Sequence, residues 1–181
     1  ISDLRNASFS EANLKDSRLM AADLRGATLT QTDLSRANLS NAYLGGANLE
    51  DSNLNSANLA RAYLPNANLS RAKLQRTNLF TADLRGANLD SVDLRSANLR
   101  GADVSDTVVK NGNLRALKLE GANLQQMKLK FIIEIIKKEN FPAVCLRASR
   151  CVTAILAYCA ASASLELHGT AAYALLSCVA F

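Results

Sequence analysis

An apolar residue recurs at every fifth position from Leu4 to Leu129. Of the twenty-six such slots twenty-three are Leu, with only Phe9, Val104 and Val109 differing, so the spacing is an architectural rule. It suits neither regular element. A helix needs apolar residues at a mean spacing of about 3.6, and a half-buried strand needs alternation. A long helix with Leu at every fifth position would smear its apolar side chains around the whole circumference. Two residues before each slot stands something small. It is Ala in sixteen cases (Ala12, Ala22, Ala37 and Ala57 among them) and otherwise mostly Ser, Thr or Gly. The residue just before the slot is Asn or Asp in seventeen cases. The unit therefore reads A-(D/N)-L-x-x, and a tandem repeat of this kind decides architecture before any local signal does.

One solution is a chain that turns a corner once per unit. Each unit then makes one short extended side, with the slot residue pointing inward and its two neighbours outward. The residue two before the slot also points inward, and is small because the interior is narrow. Four units close one roughly square coil of twenty residues.

The repeated A-(D/N)-L-x-x motif resembles the pentapeptide-repeat family, over residues 1 to about 130. The resemblance implies an all-β solenoid, a right-handed quadrilateral β-helix, with a core of slot residues and their small predecessors, such as Leu34 with Thr32 and Leu39 with Ala37. It assigns those positions to structure, not to catalysis. Stacked coils about 4.8 Å apart make a rod about 30 Å long. Each buried Leu contributes on the order of 2 kcal/mol before chain entropy is subtracted. Aromatics are scarce, at 5%, and Trp is absent, as a narrow Leu/Ala core requires. The chain begins at Ile1 already in register, with no visible signal peptide. The expectation is a processed or partial chain whose N-terminal cap lies elsewhere.

The repeat decays toward its end. Thr107-Val108-Val109 and Gly112-Asn113-Leu114 are weaker copies, and Leu117 and Met127 replace the small inward residue. The last coil is expected to be wider or distorted. Residues 131–142, FIIEIIKKENFP, carry apolar residues on one helical face and end at Pro142. They read as an amphipathic helix capping the solenoid, or as a partner-binding helix. Residues 143–181 are apolar, rich in Ala, and hold all four cysteines. Their two uncharged runs are each shorter than the roughly 20 residues that span a bilayer. They read as helices packed on the solenoid end, as a membrane or membrane-complex anchor, or as a segment outside its normal context.

No residue set supports an enzyme. The solenoid holds no His and no Cys, the lone His168 stands beside the acid Glu166, and Cys145, Cys151, Cys159 and Cys178 fit no zinc spacing. No cofactor is expected; pigment or metal ligation by His168 is the alternative to a packed or surface histidine. There is no phosphate-binding glycine loop, and Gly26, Gly46 and Gly86 read as corner residues where positive φ is useful. Neither nucleic acid nor a small-molecule substrate is expected.

What remains is surface. Positions twenty apart stack into columns. On one face the residue before the slot runs Asp3, Asp23, Tyr43, Tyr63, Asp83, Asp103, and the residue after it runs Arg5, Arg25, Gly45, Pro65, Arg85, Ser105. The Asp-Leu-Arg triplets are expected to pair across coils. The centre, Tyr43, Tyr63, Gly45 and Pro65, is the candidate partner-contact patch, because Tyr is enriched at interfaces; a local aromatic stack that only covers backbone is the alternative. The third face offers a candidate basic strip of Lys15, Arg36, Lys73, Arg76, Arg95 and Arg115, read mainly as a solvated face since aromatics are not interleaved. Met20 and Phe80 are isolated outward apolar residues. Columns Asn38, Asn58, Asn78, Asn98 and Asn48, Asn68, Asn88 read as side-chain amide ladders.

Some family members mimic duplex DNA, bind topoisomerase and confer quinolone resistance. Such a mimic must be acidic. Residues 1–130 carry seventeen Lys and Arg against thirteen Asp and Glu, so mimicry is a minor alternative. The uninterrupted Leu-centred repeat looks more like copies abundant in cyanobacteria and chloroplasts, which suggests a photosynthetic, thylakoid-associated setting. The reading is a non-enzymatic scaffold that meets protein partners on flat faces. The alternative is an accessory subunit of a membrane complex, held by residues 143–181.

Overall fold

The unit of structure is one bridge position followed by one turn. In the computed structural model, which describes residues 2–113, 115, 117–119 and 121–123, the residue before each slot forms a parallel bridge with the residue twenty positions on. These run Asp3 to Asp23 to Tyr43 on one side, Ser8 to Thr28 to Asn48 on the next, and likewise for columns starting at Asn13 and Arg18. Four columns of parallel bridges make a four-sided coil. We number the faces by their first slot: face 1 from Leu4, face 2 from Phe9, face 3 from Leu14 and face 4 from Leu19. Coils are numbered from the first, so that coil 3 holds slots Leu44, Leu49, Leu54 and Leu59. The expected cap at 131–142 and the tail at 143–181, with His168 and all four cysteines, lie outside the described residues.

The corner is a type II turn. Ala47 N–H donates to the Leu44 carbonyl at 3.0 Å, and Gly46 between them has φ +65°. Gly26 and Gly86 share this geometry, but so do the non-glycines. Every described residue two places after a slot, from Asn6 to Gly121, has φ between +40° and +72°. Asn and Asp tolerate this region best. Ala, Arg, Ser, Gln and even β-branched Thr81 are held in it here, because the coils above and below fix the corner.

The backbone bonds account for the repeat. In coil 3, Leu44 N–H donates to the Tyr63 carbonyl (2.6 Å), Gly46 to Pro65 (2.9 Å), Ala47 to Leu44 and Asn48 to Ala27 (2.9 Å). Four of the five amides in a unit are thus satisfied by main chain. The fifth follows the slot, and the side chain before the slot takes it. Glu50 N–H donates to Asn48 Oδ1 at 3.2 Å, Ala60 to Asn58 at 3.1 Å, and Ser35 to Asp33 at 3.0 Å. Buried or half-buried amides need such partners, so the Asn/Asp preference is a hydrogen-bond requirement of the backbone. The amide ladders add a second role: Asn78 Nδ2 donates to Asn58 Oδ1 and Asn98 to Asn78, both at 3.1 Å, and Asn68 to Asn48 and Asn88 to Asn68 at the same distance.

Slot and small residues face inward as expected. Leu24 through Leu79 are fully buried, with Ala22, Ala37, Ala57 and their equivalents between them. Thr32 and Thr77 stand in for Ala because their hydroxyls donate to carbonyls of the preceding coil, Phe9 O and Leu54 O, each at 2.7 Å. Leu4, Phe9, Leu14 and Leu19 are only partly buried, because a coil covers them on one side. Toward the far end the geometry loosens. Val92 replaces a small residue, and its turn bond to Leu89 stretches to 3.4 Å. Ser91 N–H reaches the Lys110 carbonyl at 3.5 Å, and Asn111 has the lowest corner φ, +40°. Leu117 nonetheless packs inside, 7% exposed.

Candidate functional site

Face 1 is flat because its outward residues flank inward slots on a short extended side. Its ends are ion-paired. Arg25 donates to Asp23 at 2.6 and 2.8 Å, and Arg85 to Asp83 at the same distances. The Arg5–Asp3 pair at 2.8 Å is built the same way. These pairs close within one triplet, not across coils as the sequence suggested. Both side chains leave the same side of the strand two residues apart, so the fork of Arg meets its own Asp first. The one cross-coil ion pair on this face among the described residues, Arg5 to Asp23, is longer, at 3.7 Å. The Arg5 guanidinium and amide hold the Asp3 carboxyl down to about 2. Asp23 is likewise lowered by its bond from Arg25.

Between these pairs the charge stops. Tyr43 and Tyr63 are 44% and 40% exposed. Their ring centroids lie 6.5 Å apart with planes tilted by 59°, within the range of favourable aromatic pairs. Arg25 lies over the Tyr43 ring at 6.0 Å, a cation–π distance, and Arg85 stands one coil beyond Tyr63 on the same face, tied to Asp83. Two tyrosines are therefore bracketed by two arginines, each tethered by its own aspartate. The sequence placed these Asp-Leu-Arg triplets on either side of the tyrosines, but not the contact of Arg25 with the Tyr43 ring.

Tyr cannot supply the acceptor that Asn or Asp gives to the following amide. At Tyr63 the following residue is Pro65, which has no N–H to satisfy. Pro65 also occupies the first central position of its type II turn, with Asn66 at φ +56° second, which is the favoured arrangement. At Tyr43 the following residue is Gly45. A Cβ there would meet Pro65 Cγ at 3.5 Å and Tyr63 Cε1 at 3.6 Å, ordinary contact distances, so space does not require glycine.

The residues of the candidate basic strip differ in their partners. Arg36 is tied to Asp16 of the neighbouring coil at 2.7 Å, and Arg95 to Asp93 at 2.7 Å. Asp93 also accepts from Gln75 at 2.6 Å. Lys15, Lys73, Arg76 and Arg115 form no ion pair with a described residue. On face 4, Met20 (61% exposed) and Phe80 (41%) stand apart. Among the described residues no group of three His, Cys, Asp or Glu could hold a metal, and no helix is long and apolar enough to cross a membrane.

The comparisons with known proteins agree with this geometry. A family model described as pentapeptide repeats matches residues 2–41, 42–79 and 72–111. No curated protein matches. Among solved structures the chain is similar to HetL, a pentapeptide repeat protein involved in heterocyst differentiation regulation from the cyanobacterium Nostoc sp. strain PCC 7120. The two are 34% identical over 71% of this chain and 70% of that one, with a TM-score of 0.36. A pentapeptide repeat protein from the Arabidopsis thaliana thylakoid lumen is 24% identical over 74% and 76% of the two chains, with a TM-score of 0.31. QnrB1, a plasmid-mediated fluoroquinolone resistance protein, is 16% identical over 71% and 75%, with a TM-score of 0.38. Proteins of this type are generally non-enzymatic repeat scaffolds with a right-handed quadrilateral β-helix. On its repeat, its four bridge columns and the family model that matches them, the chain belongs to the pentapeptide-repeat family.

Proposed function

We propose that the chain is a non-enzymatic scaffold that docks a protein partner on face 1, centred on Tyr43 and Tyr63. One observation carries the reading: two half-exposed tyrosines, their rings in tilted contact, interrupt a face whose arginines are each paired with an aspartate. Large stiff rings with a polar tip suit an interface core, and the paired arginines and aspartates around them make a polar rim. The Pro65 ring and Gly45 keep the centre free of charge. Mimicry of duplex DNA is disfavoured by the excess of Lys and Arg over Asp and Glu. The similarity to a cyanobacterial protein at 34% identity supports a photosynthetic setting for that partner.

The test is the double substitution Tyr43→Asn with Tyr63→Asn. Asn restores an acceptor for the Gly45 amide, so the melting temperature should hold. Partners that co-purify with the full chain should be depleted by the variant and retained by Phe80→Ala on face 4. A variant that keeps every partner, or that loses its fold, contradicts docking at this patch.

A further inference from the structure

The outward charges of the rod are sorted by side. Faces 3 and 4, each with the corner that follows it, carry ten described Lys and Arg against three Asp. Faces 1 and 2 with their corners carry five against nine described acids. Two of the three acids on the basic half are already engaged, Asp16 by Arg36 and Asp93 by Arg95. Face 4 itself shows no described acid. Arg18, Arg61, Arg76 and Lys118, on it or at its edges, are exposed and form no ion pair with a described residue. A surplus of one sign along one half of a small rod turns that half toward an oppositely charged surface.

Face 4 also exposes two large apolar side chains, Met20 in coil 1 and Phe80 in coil 4. Three coils separate them, about 14 Å along the axis. Between them the outward residues are short: Ser40, Ala60 and the Asn ladder. Each apolar side chain has a cation beside it. Arg18 leaves the same side of the same strand as Met20, two residues earlier. Arg61, at the adjoining corner, donates its backbone amide to the Phe80 carbonyl at 2.8 Å, and Arg76 stands at the opposite edge of the same coil. The polar groups of the face are bonded among themselves. Asn58, Asn78 and Asn98 each donate to the Asn one coil before, and the ladder accepts the amides of Ser40, Ala60, Phe80 and Arg100. Dehydrating this face therefore leaves few polar groups without partners.

We infer that face 4 seats the rod lengthwise on an anionic lipid surface, with Met20 and Phe80 entering the headgroup layer and Arg18, Arg61, Arg76 and Lys118 over the lipid phosphates. Apolar anchors flanked by cations, with a polar opposite side, suit the membrane interface. A single-stranded nucleic acid fits less well, because Phe80 has no second ring on this face for bases to stack along. Face 2, with Glu11, Glu50, Asp51 and Asp90, then looks away from the membrane. Face 1 stands to the side with Tyr43 and Tyr63 accessible, so this inference does not depend on the docking proposed above.

Flotation of the full chain tests it, with vesicles of phosphatidylcholine alone or with about one-third phosphatidylserine. Binding should require the anionic lipid and be mostly lost in about 0.5 M salt. Arg61→Gln with Arg76→Gln should weaken it on the order of twentyfold, about fivefold for each cation removed. Met20→Ser with Phe80→Ser should weaken it about tenfold and leave the salt dependence as it was. Arg71→Gln with Lys110→Gln removes the same charge from the acidic half and should change binding by less than about twofold. All six side chains are exposed, so folding is not at stake. Tyr43→Asn with Tyr63→Asn should bind vesicles as the wild type does. The chain has no Trp, so Phe80→Trp supplies a lone reporter. Its emission should shift to the blue on anionic vesicles and be quenched by brominated acyl chains, while Ser10→Trp on face 2 should show neither. The inference is overturned by a chain that binds neutral and anionic vesicles alike, or by face 4 variants that bind as the wild type does. It is also overturned by an Arg71 and Lys110 variant that loses as much as the face 4 pair, by a Phe80→Trp emission that does not move, or by tighter binding to nucleic acid than to the anionic vesicles.

Discussion

The repeat asks each residue for one specific service. The Asn or Asp before a slot accepts the only amide that the main chain leaves unsatisfied, as Asn48 does for Glu50. Where Lys73 breaks the rule, the Gln75 amide turns to Asn55 Oδ1 of the neighbouring coil at 2.9 Å. Where Tyr63 breaks it, Pro65 removes the amide. The corner residue has a harder task. Thr81 is β-branched, yet sits at φ +53°, where such residues are strained by about 1 kcal/mol or more. Thr81→Gly is therefore expected to raise stability by about 1 kcal/mol, read as a higher denaturant midpoint; a lower midpoint would show that Thr81 packing outweighs the strain. Inward and outward assignment was legible from the period alone, since Leu, Ala and Thr stand where burial demands them. The corner conformation was not. Gly26, Gly46 and Gly86 flagged it, but Arg61 and Ser96 adopt the same positive φ without any signal in their chemistry.

A face is held by its column. Asn78 donates to Asn58, accepts from Asn98, and accepts from the Phe80 amide at 3.2 Å. Asn78→Ala should cost about 2 kcal/mol, because it leaves the Phe80 amide and Asn98 Nδ2 without these partners and takes one of two donors from Asn58 Oδ1. Asn78→Asp keeps both acceptor roles and should cost less; Asn53 donating to Asp33 at 3.0 Å shows that the ladder accepts a carboxylate. Equal melting temperatures for the two variants would contradict the ladder. These columns could be read from positions twenty apart once the coil length was known. The direction of pairing could not. Asp-Leu-Arg looked able to bridge coils, but Arg25 reaches Asp23 within its own strand, because two residues along one strand are closer than the diagonal to the Asp of the next coil. The short cross-coil ion pairs among the described residues occur at corners instead, between Arg36 and Asp16 and between Arg71 and Asp51.

The whole rod is stabilised by many small exposed charges around a dry core. Arg5 holds Asp3 from 3.8 down to about 2, and Asp16, Asp23, Asp51 and Asp93 are lowered by their own arginines. A carboxyl whose folded value is depressed stabilises the fold above its unfolded value and loses that contribution as pH falls through the folded one. Melting temperature should therefore hold from pH 7 to about 4 and fall between about 4 and 2, modestly, because the pairs are exposed. About 0.5 M salt should flatten the fall; a curve level to pH 2 at low salt contradicts it. The sidedness of the charge, with Glu11, Glu50, Asp51 and Asp90 on face 2 and no described acid on face 4, was hidden in a net charge of +5 and emerges only when residues are sorted by column. That sorting also governs what lengthening can do. Twenty residues added anywhere in the repeat lengthen the rod by one layer and leave every column in place. Five residues added between Tyr43 and Tyr63 rotate everything downstream by a quarter turn. The two tyrosines would then look in perpendicular directions, and Arg85 would no longer share a side with Arg25. Such a chain can grow freely, but only in whole storeys.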